Sequence, residues 1–404
     1  MVHPLMGPKS LIQENGDGVK KKSEGHMKRS VSATTQPSTS REDSASTLQQ
    51  LSEDLARKLV IRTEERVSQV LNKSALRKRS RLREIETFTI DDLTVGEFIA
   101  SGGFSDVFAI RSFNKKTELT SEAKKDRQYV LKHLNPGLVA DRRKLAVGAK
   151  DLALEAHFLS SLDHKHIIGL RGWPKAGLSS FIESGRIEGF FLVLDRLNET
   201  LTNRIGAWHR EAKEQRANGS IPSSTRRKFF AQRLKAAIQV ASALEYLHEN
   251  RIVFRDLKPG NVGFNQNNTL KLFDFGLAVE LPEDSGLDST HILPGKTGTP
   301  RYMSVEVIEA KPYNVKADVF SFSVLLWEMI ALQKPYKGLP GEVVMQQVVN
   351  NARPQIPKEW PTELRELLKL GWAASIETRP HMKVLRQELM RMRIKCLSEV
   401  SQSK

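Results

Sequence analysis

The chain has 404 residues, 39% of them hydrophobic, which is enough apolar material for two or three domains with buried cores. Its single cysteine, Cys396, excludes an intramolecular disulfide and is typical of a reducing compartment. The net charge of +16 accompanies no nucleic-acid-binding motif, and no apolar run reaches the ~18–20 residues of a membrane span. We therefore expect a cytoplasmic protein with a basic, solvated surface, no membrane span and no specific nucleic-acid partner.

Residues 1–46 are rich in Ser and Thr and nearly free of large apolar residues, so we expect a disordered tail. Residues 47–87 differ, because leucines recur there at the spacing of a helix, at Leu48, Leu51, Leu55 and Leu59. They predict an amphipathic helix within residues 47–83 that docks on the following domain or binds a partner. A basic linker follows, and its cluster RKRSRLR, residues 77–83, is a candidate address for additional nuclear localisation.

From about residue 88 the sequence has the pattern of a globular domain, in which strand-like segments precede helical ones. This order predicts an α+β fold with a small β-rich lobe, about residues 88–195, and a larger helical lobe, about residues 198–395. Within the helical lobe, the polar residues 202–226 are expected to form a surface insertion. Residues 396–404 are expected to be a tail.

A glycine-rich segment, IASGGFSDVFAI, covers residues 99–110 between two predicted strands. Glycines let the backbone approach a ligand closely, and its N–H groups can hold phosphate oxygens. Taken alone, the segment favours an ordinary hairpin with a glycine-rich turn. The candidate ligand-contacting residues are Ile99, Ala100, Ser101, Gly102, Gly103, Phe104, Ser105 and Val107.

Lys132 lies in the apolar strand YVLKHL, where an unpaired ammonium group would be costly to bury. Glu155, on the predicted helix DLALEAHFLSSL, is a plausible counter-charge. Such a pair can hold a phosphate-binding lysine in place. Alternatively, Lys132 buries only its aliphatic stem and keeps its charged head in water.

The loop FRDLKPGN, residues 254–261, brings a carboxylate, an ammonium group and an amide together in Asp256, Lys258 and Asn261. Asp256 can accept a proton from a hydroxyl, and Lys258 can offset charge on a transferring phosphate. Asn261 offers an oxygen ligand of the kind that Mg²⁺ prefers. Asp274 follows in LFDFG, at a strand end where a cation is the natural partner of a lone carboxylate.

These segments, in this order, resemble a protein kinase of the tyrosine-kinase-like group of serine/threonine kinases, over about residues 90–392. The run GTPRYMSVE, residues 298–306, continues the resemblance. It implies a bilobal fold and ATP-dependent transfer of the γ-phosphoryl group to Ser or Thr of protein substrates.

The resemblance also implies roles for individual residues. Lys132 would hold the α- and β-phosphates of ATP and be fixed by Glu155, Asn261 and Asp274 would hold Mg²⁺, and Asp256 would be the base or orienting group. Leu194 resembles the gatekeeper beside the adenine site, and the hinge would run from Asp195 to Leu197. Val130 and Gly263 stand where the roof and the floor of the adenine site are expected.

Some positions depart from the family pattern. Phe254 replaces a histidine that packs against the phenylalanine here found as Phe275, and an aromatic ring can fill that space. Val130 is larger and Gly263 smaller than the usual residues, which we interpret as compensating changes of volume. The alternative function is a pseudokinase, a scaffold or allosteric module without chemistry, and the intact ionic residues argue against it.

Regulation is predicted from Arg255, which precedes Asp256 and can dock a phosphate on the activation segment, residues 274–306. An upstream kinase would supply this phosphate. The candidate regulatory positions in the segment are Ser289, Thr290, Thr297 and Thr299.

Overall fold

The computed structural model describes residues 51–72, 74–76, 85–114, 128–217 and 222–402. In this part of the chain a β-rich lobe precedes a helical lobe, which confirms the predicted α+β, bilobal fold. The predicted tail, residues 1–46, and the basic cluster, residues 77–83, lie outside the described residues. None of the helices in the described ranges has the length and apolar character needed to cross a membrane.

The described strands and helices are numbered here in chain order. The strands are β1 (Glu86–Phe88), β2 (Leu93–Ser101), β3 (Ser105–Phe113), β4 (Tyr129–Leu134), β5 (Leu170–Pro174), β6 (Phe191–Asp195), β7 (Glu199–Thr200), β8 (Ile252–Val253), β9 (Val262–Phe264), β10 (Leu270–Leu272) and β11 (Val279–Glu280). The helices are α1 (Glu53–Leu71), α2 (Arg142–Ser161), α3 (Ser180–Ser184), α4 (Leu201–Ala217), α5 (Ser223–Glu249), α6 (Val305–Ile308), α7 (Lys316–Ala331), α8 (Gly341–Val349), α9 (Thr362–Gly371) and α10 (Met382–Gln402).

The β-rich lobe is built on a six-stranded sheet with the order β1-β5-β6-β4-β3-β2. Strands β2 to β6 pair in antiparallel fashion, and β4 lies at the centre, so that Lys132 is opposite Val107 of β3 and Leu192 of β6. Strand β1 joins the edge of the sheet by parallel pairing with β5. Its Phe88 ring occupies the space beside Gly172, where a Cβ atom would lie 2.5 Å from the ring.

The helical lobe is organised around α7, whose residues from Lys316 to Ile330 are all buried. Most residues of α7 are apolar, and they lie on every side of the helix, which is typical of a helix in the interior of a domain. Helices α5 and α9 pack against α7, and α10 packs along α5. Two small sheets, β7-β9-β10 and β8-β11, flank the loop at residues 254–261 and fix its two ends.

Helix α1 lies inside the range for which the sequence predicts an amphipathic helix. The Ser52 side chain caps its start by accepting a hydrogen bond from the Leu55 N–H. An exposed ion pair links Arg57 to Glu53 one turn earlier, at 2.6 Å. The buried face packs against α2 and α3 and consists of Ala56, Leu59, Val60, Thr63 and Val67.

Two predictions about the helical lobe were wrong. Much of the supposed surface insertion, residues 202–226, belongs to α4, because Leu201, Ile205 and Trp208 recur at helical spacing and are buried. The supposed tail after residue 395 belongs to α10, which continues to Gln402 and buries Cys396 and Val400.

Candidate active site

Lys132 is the centre of an ionic cluster between the sheet, α2 and the start of the activation segment. Its Nζ lies 2.5 Å from Glu155 Oε2 and 3.2 Å from Asp274 Oδ1. The Glu155 side chain is 2% exposed, whereas the Asp274 side chain is 45% exposed. The structure therefore joins three predicted site residues and leaves one carboxylate open to the cleft.

The charges of this cluster shift one another's pKa. Burial alone would lower the pKa of Lys132, but the carboxylates of Asp274 and Glu155 outweigh it and hold that pKa above its usual value. Burial raises the pKa of Glu155, although Lys132 opposes this effect. The ammonium group of Lys132 lowers the pKa of Asp274. Lys132 is accordingly charged, and so is the carboxylate of Asp274 that faces the cleft.

The catalytic loop, residues 254–261, is held from below by Asp318 of α7. The two oxygens of this carboxylate accept hydrogen bonds from the backbone N–H groups of Phe254, at 2.7 Å, and Arg255, at 2.8 Å. His248 Nε2 lies 3.1 Å from the same carboxylate. Arg255 has a φ of 69°, a conformation that costs free energy for a residue with a side chain, so the carboxylate clamp holds a strained backbone.

Three polar side chains donate hydrogen bonds to the Asp256 carboxylate. Lys258 Nζ lies 2.6 Å from Oδ2, and the Asn261 amide nitrogen donates to Oδ2 at 3.0 Å and to the Asp256 carbonyl at 2.9 Å. The Thr299 hydroxyl donates to Oδ1 at 2.7 Å. Asp256, Lys258 and Asn261 thus converge as the loop spacing predicts, and Thr299 adds the activation segment to the cluster.

The residues predicted to hold Mg²⁺ suit that ion. Asn261 uses its amide nitrogen for Asp256, which leaves its carbonyl oxygen for a cation. Asp274 uses Oδ1 to accept a hydrogen bond from Lys132, which leaves its Oδ2 for a cation. Among the described residues, no group of three or more His, Cys, Asp or Glu side chains could hold a metal ion. Proteins commonly bind Mg²⁺ through one or two oxygen ligands of their own, and nucleotide phosphates complete the coordination.

The glycine-rich loop is a tight turn between β2 and β3. The Gly102 N–H donates to the Ser105 carbonyl at 2.7 Å, and the space beside Gly103 is open. A network that the sequence reading missed supports the turn: Asp106 accepts hydrogen bonds from Ser101, at 2.6 Å, and from Asn135, at 3.0 Å. The remaining predicted residues of this segment, Ile99, Ala100, Phe104 and Val107, flank the turn on the two strands or at its tip.

The predicted adenine site lies where β4, β6 and β9 approach the connection between the lobes. Val130 and Leu194 are buried and are paired with each other across β4 and β6. The Asp195 carboxylate binds Arg171 at 2.7 Å, so its side chain serves the hinge structure. Leu197 has a role that the sequence reading missed, because a Cβ atom on Gly263 would lie 2.6 Å from Leu197 Cδ1. The Leu197 side chain thus occupies space that Gly263 leaves empty.

The departure at Phe254 is a packing change. The Phe254 and Phe275 rings are fully buried and meet edge to face with their centroids 5.1 Å apart. Leu159 of α2 is buried in the same core cluster. The aromatic ring fills the space without adding a polar atom.

Arg255 lies at the centre of the activation segment's contacts. Its Nε donates to the Leu277 carbonyl at 2.5 Å, and its Nη1 lies 3.3 Å from the Tyr313 hydroxyl. Of the candidate regulatory positions, Ser289 and Thr290 lie on an exposed part of the segment. The Thr297 hydroxyl donates to the Pro294 carbonyl at 3.1 Å, while Thr299 is engaged by Asp256.

A second arginine, Arg251, contacts the activation segment, and this contact was not predicted from the sequence. Arg251 Nη2 donates to the Ser285 hydroxyl at 2.9 Å, and that hydroxyl lies 3.1 Å from His291 Nε2. The Arg251 backbone carbonyl also accepts a hydrogen bond from the Leu281 N–H, at 2.8 Å. The signal available in the sequence was weak, because an arginine five residues before Asp256 has no characteristic spacing from Ser285.

Comparison with known proteins agrees with this geometry. A sequence model described as protein tyrosine and serine/threonine kinase matches residues 93–389. The chain is 30% identical over 288 residues to the mouse serine/threonine-protein kinase Nek4. The aligned residues make up 71% of this chain and 32% of that protein. It is 40% identical over 149 residues to the Arabidopsis thaliana serine/threonine-protein kinase STY17, covering 37% of this chain and 25% of that one.

A third relative is the dual specificity protein kinase shkB of Dictyostelium discoideum, which is 38% identical over 154 residues, 37% of this chain and 23% of its own. The matches span a third or less of the length of these relatives. The match to the family model nevertheless covers most of the chain and both lobes of the described fold. The chain therefore belongs to the protein tyrosine and serine/threonine kinase family.

Proposed function

We propose that this protein is an ATP-dependent serine/threonine protein kinase, which transfers the γ-phosphoryl group of ATP to hydroxyl groups of protein substrates. The observation that carries the proposal is the ionic cluster in which Lys132 contacts Glu155 and Asp274 at once. In protein kinases this lysine–glutamate pair and the aspartate of the DFG motif must both be in place for transfer. The two contacts of Lys132 described here support the proposal because they bring both of these groups together.

Each residue of the site would have a separate role in phosphoryl transfer. Lys132 would bind the α- and β-phosphates, and Glu155 would keep its ammonium group in position. Bound through Asn261 and Asp274, Mg²⁺ would neutralise charge on the phosphate oxygens. Asp256 would orient the substrate hydroxyl and accept its proton, and Lys258, 2.6 Å away, would offset negative charge on the transferring group.

The preference for serine and threonine rests on Lys258 and Thr299, which both contact Asp256. The loop sequence DLKPGN resembles the serine/threonine version of the catalytic loop, and two of the relatives named above are described as serine/threonine kinases. The relative described as a dual specificity kinase makes tyrosine phosphorylation the second activity to be assayed. We place this activity in cytoplasmic, and additionally nuclear, signalling.

The test distinguishes a kinase from a pseudokinase. Purified full-length protein is incubated with labelled ATP, Mg²⁺ and a generic basic protein, beside the Asp256→Asn variant. We expect phosphate transfer to serine and threonine by the parent and its loss in the variant, which keeps the side-chain size and so the fold. Equal, background-level transfer by both proteins, with ATP still bound, would establish the pseudokinase instead.

We also propose that phosphorylation of Ser289, Thr290 or Thr297 by an upstream kinase raises activity. The support is Arg255, whose guanidinium group links the residues after Asp274 to Tyr313. A phosphate beside this group would add charge-assisted hydrogen bonds and order the segment. Phosphatase treatment should lower the rate, and an unchanged rate in a fully dephosphorylated protein would remove the proposal.

A further inference from the structure

Helix α1 and residues 74–76, which precede the matched kinase domain, lie against helix α2, which carries Glu155. Helix α1 ends at Leu71, well before residue 93, where the match to the kinase family model begins. It is nevertheless part of the main hydrophobic core, to which it contributes Leu51, Ala56, Leu59, Val60 and Val67. Residues outside the family domain therefore complete the interior of the β-rich lobe.

The first contact is apolar and runs along α2. From Leu152 to Ser160 every residue of α2 is buried, so this part of the helix is covered on all sides. Helix α1 packs against α2, and the Leu51 N–H donates to the Gly185 carbonyl at 2.8 Å, which anchors the start of the segment. Burial of apolar side chains such as Leu59 and Val60 is the main favourable term in a contact of this kind, so the docking of α1 is substantial.

The second contact is polar and reaches both α2 and the activation segment. Ser74 Oγ lies 3.4 Å from Nε2 of His157, which is buried on α2. The Leu76 N–H donates to Glu280 Oε1 at 2.8 Å. Glu280 belongs to β11, which pairs with β8 directly before the catalytic loop. Residues 74–76 thus touch α2 on one side and the activation segment on the other.

The geometry of α2 relates these contacts to catalysis. Glu155 and His157 are two residues apart and so point about 200° away from each other around the helix. Glu155 faces Lys132, while His157 faces the N-terminal segment. The N-terminal segment and Lys132 therefore contact opposite sides of α2, so docking of the segment can set the distance between Glu155 and Lys132.

We propose that α1 and residues 74–76 form an activating brace, which positions Glu155 against Lys132 and holds the segment after Asp274 in place. The brace rests on the proposed kinase function and adds a positioning element to it. The brace is docked in the same structure in which the Lys132–Glu155 pair is formed. By linkage, any interaction made only in that arrangement raises its population.

The test uses adjacent residues of α1 in the full-length protein. Val60 is 4% exposed and Ile61 is 55% exposed, so Val60→Asp should undock the helix and Ile61→Asp should leave it docked. Coupling between two sites commonly amounts to about 5- to 150-fold, and we expect Val60→Asp to lower kcat about tenfold. Val60→Ala, which keeps an apolar side chain, should lie between the parent and Val60→Asp, and Ile61→Asp should equal the parent.

Hydrogen exchange separates positioning from folding. In Val60→Asp we expect faster exchange in α1, α2 and β11, with unchanged protection of α7 in the helical lobe. Undocked α1 with unaltered kcat would overturn the brace, and so would loss of protection throughout both lobes. If the parent itself transfers no phosphate, the kinase proposal fails, while exchange in α2 and β11 still decides whether the segment positions them.

Discussion

The hydroxyl of Thr299 donates a 2.7 Å hydrogen bond to the carboxylate of Asp256. The activation segment thereby touches the group to which we assign the orientation of the substrate hydroxyl. A hydrogen bond to a charged group contributes about 1.5–3 kcal/mol. The contact also means that a phosphate on Thr299 would face a carboxylate, unlike one on Ser289 or Thr290.

We predict that Thr299→Ala lowers kcat by about 10- to 100-fold with little change in the KM for ATP, because only the orientation of Asp256 is lost. Thr299→Ser keeps the hydroxyl and should retain most of the rate. Thr362→Ala is the matched control, since the exposed Thr362 hydroxyl accepts a hydrogen bond from Arg365 and does not contact Asp256. Steady-state kinetics of the three variants provide the check, and parental kcat in Thr299→Ala would contradict the assigned role.

A second prediction concerns the floor of the adenine site. A leucine at position 263 would collide with Leu197, whose Cδ1 atom lies 2.6 Å from the position of the new Cβ atom. Overpacking of this kind costs about 1–3 kcal/mol, so we expect Gly263→Leu to raise the Kd for ATP about fivefold or more. The double variant Leu197→Ala/Gly263→Leu relieves the collision and should recover much of the affinity. Calorimetric titration with ATP measures both, and tighter binding by Gly263→Leu would rule out the compensation of volume.

The third prediction is a pH dependence of stability that comes from Glu328. Burial raises the pKa of this carboxyl to about 7 from 4.5, although the hydrogen bond from Tyr302 opposes the shift. The folded state binds the proton more tightly than the unfolded chain does, so the stabilisation is complete below pH 4.5 and is lost as the pH rises to about 7. The loss is on the order of 3 kcal/mol.

Urea unfolding at pH 5 and pH 8 tests this dependence. Glu328→Gln cannot ionise and can still accept the hydrogen bond from Tyr302, so it should lose less stability than the parent between these two pH values. The comparison cancels the contributions of other titrating groups. Parallel losses in the parent and the variant would show that Glu328 does not titrate in this range.

The fourth prediction concerns the buried ion pair of Arg379 and Glu306, which two hydrogen bonds of 2.6 and 2.8 Å hold together. Because the Arg379 side chain is completely buried, Glu306→Ala leaves its charge without a carboxylate, at a cost of about 3–5 kcal/mol. Glu366→Ala removes an exposed pair with Lys369 and should cost at most about 1 kcal/mol. Denaturant titration of both variants gives the comparison, and equal losses would be inconsistent with a structural role for the buried pair.

The sequence predicted the fold and the residues of one loop because those signals are local, whereas the joint roles of Lys132, Glu155 and Asp274 came from the resemblance to protein kinases. Asp256, Lys258 and Asn261 lie in one loop, and the alternation of strands and helices can be read along the chain. The contacts that could not be predicted join distant residues. Leu197 fills the space beside Gly263, and Leu76 reaches Glu280, 204 residues further along the chain. Periodicity carries no information about such pairs, since they exist only after the lobes have packed.

The errors have a related cause. Residues 202–226 look like an insertion because most of their side chains are polar, yet Leu201, Ile205 and Trp208 are enough to bury one side of α4. The tail after residue 395 was misjudged because two buried residues, Cys396 and Val400, are hard to distinguish from scattered apolar ones. A narrow apolar stripe beside another helix stabilises more structure than composition alone indicates.

The parallel pairing of β1 with β5 has a consequence for handling the protein. Without β1, the outer edge of β5 would present free backbone N–H and C=O groups to solvent, and unpaired strand edges promote association between chains. The Phe88 ring would also leave a gap beside Gly172. A shortened chain that starts at residue 93, where the family match begins, should therefore aggregate more readily than one that retains residues 85–92.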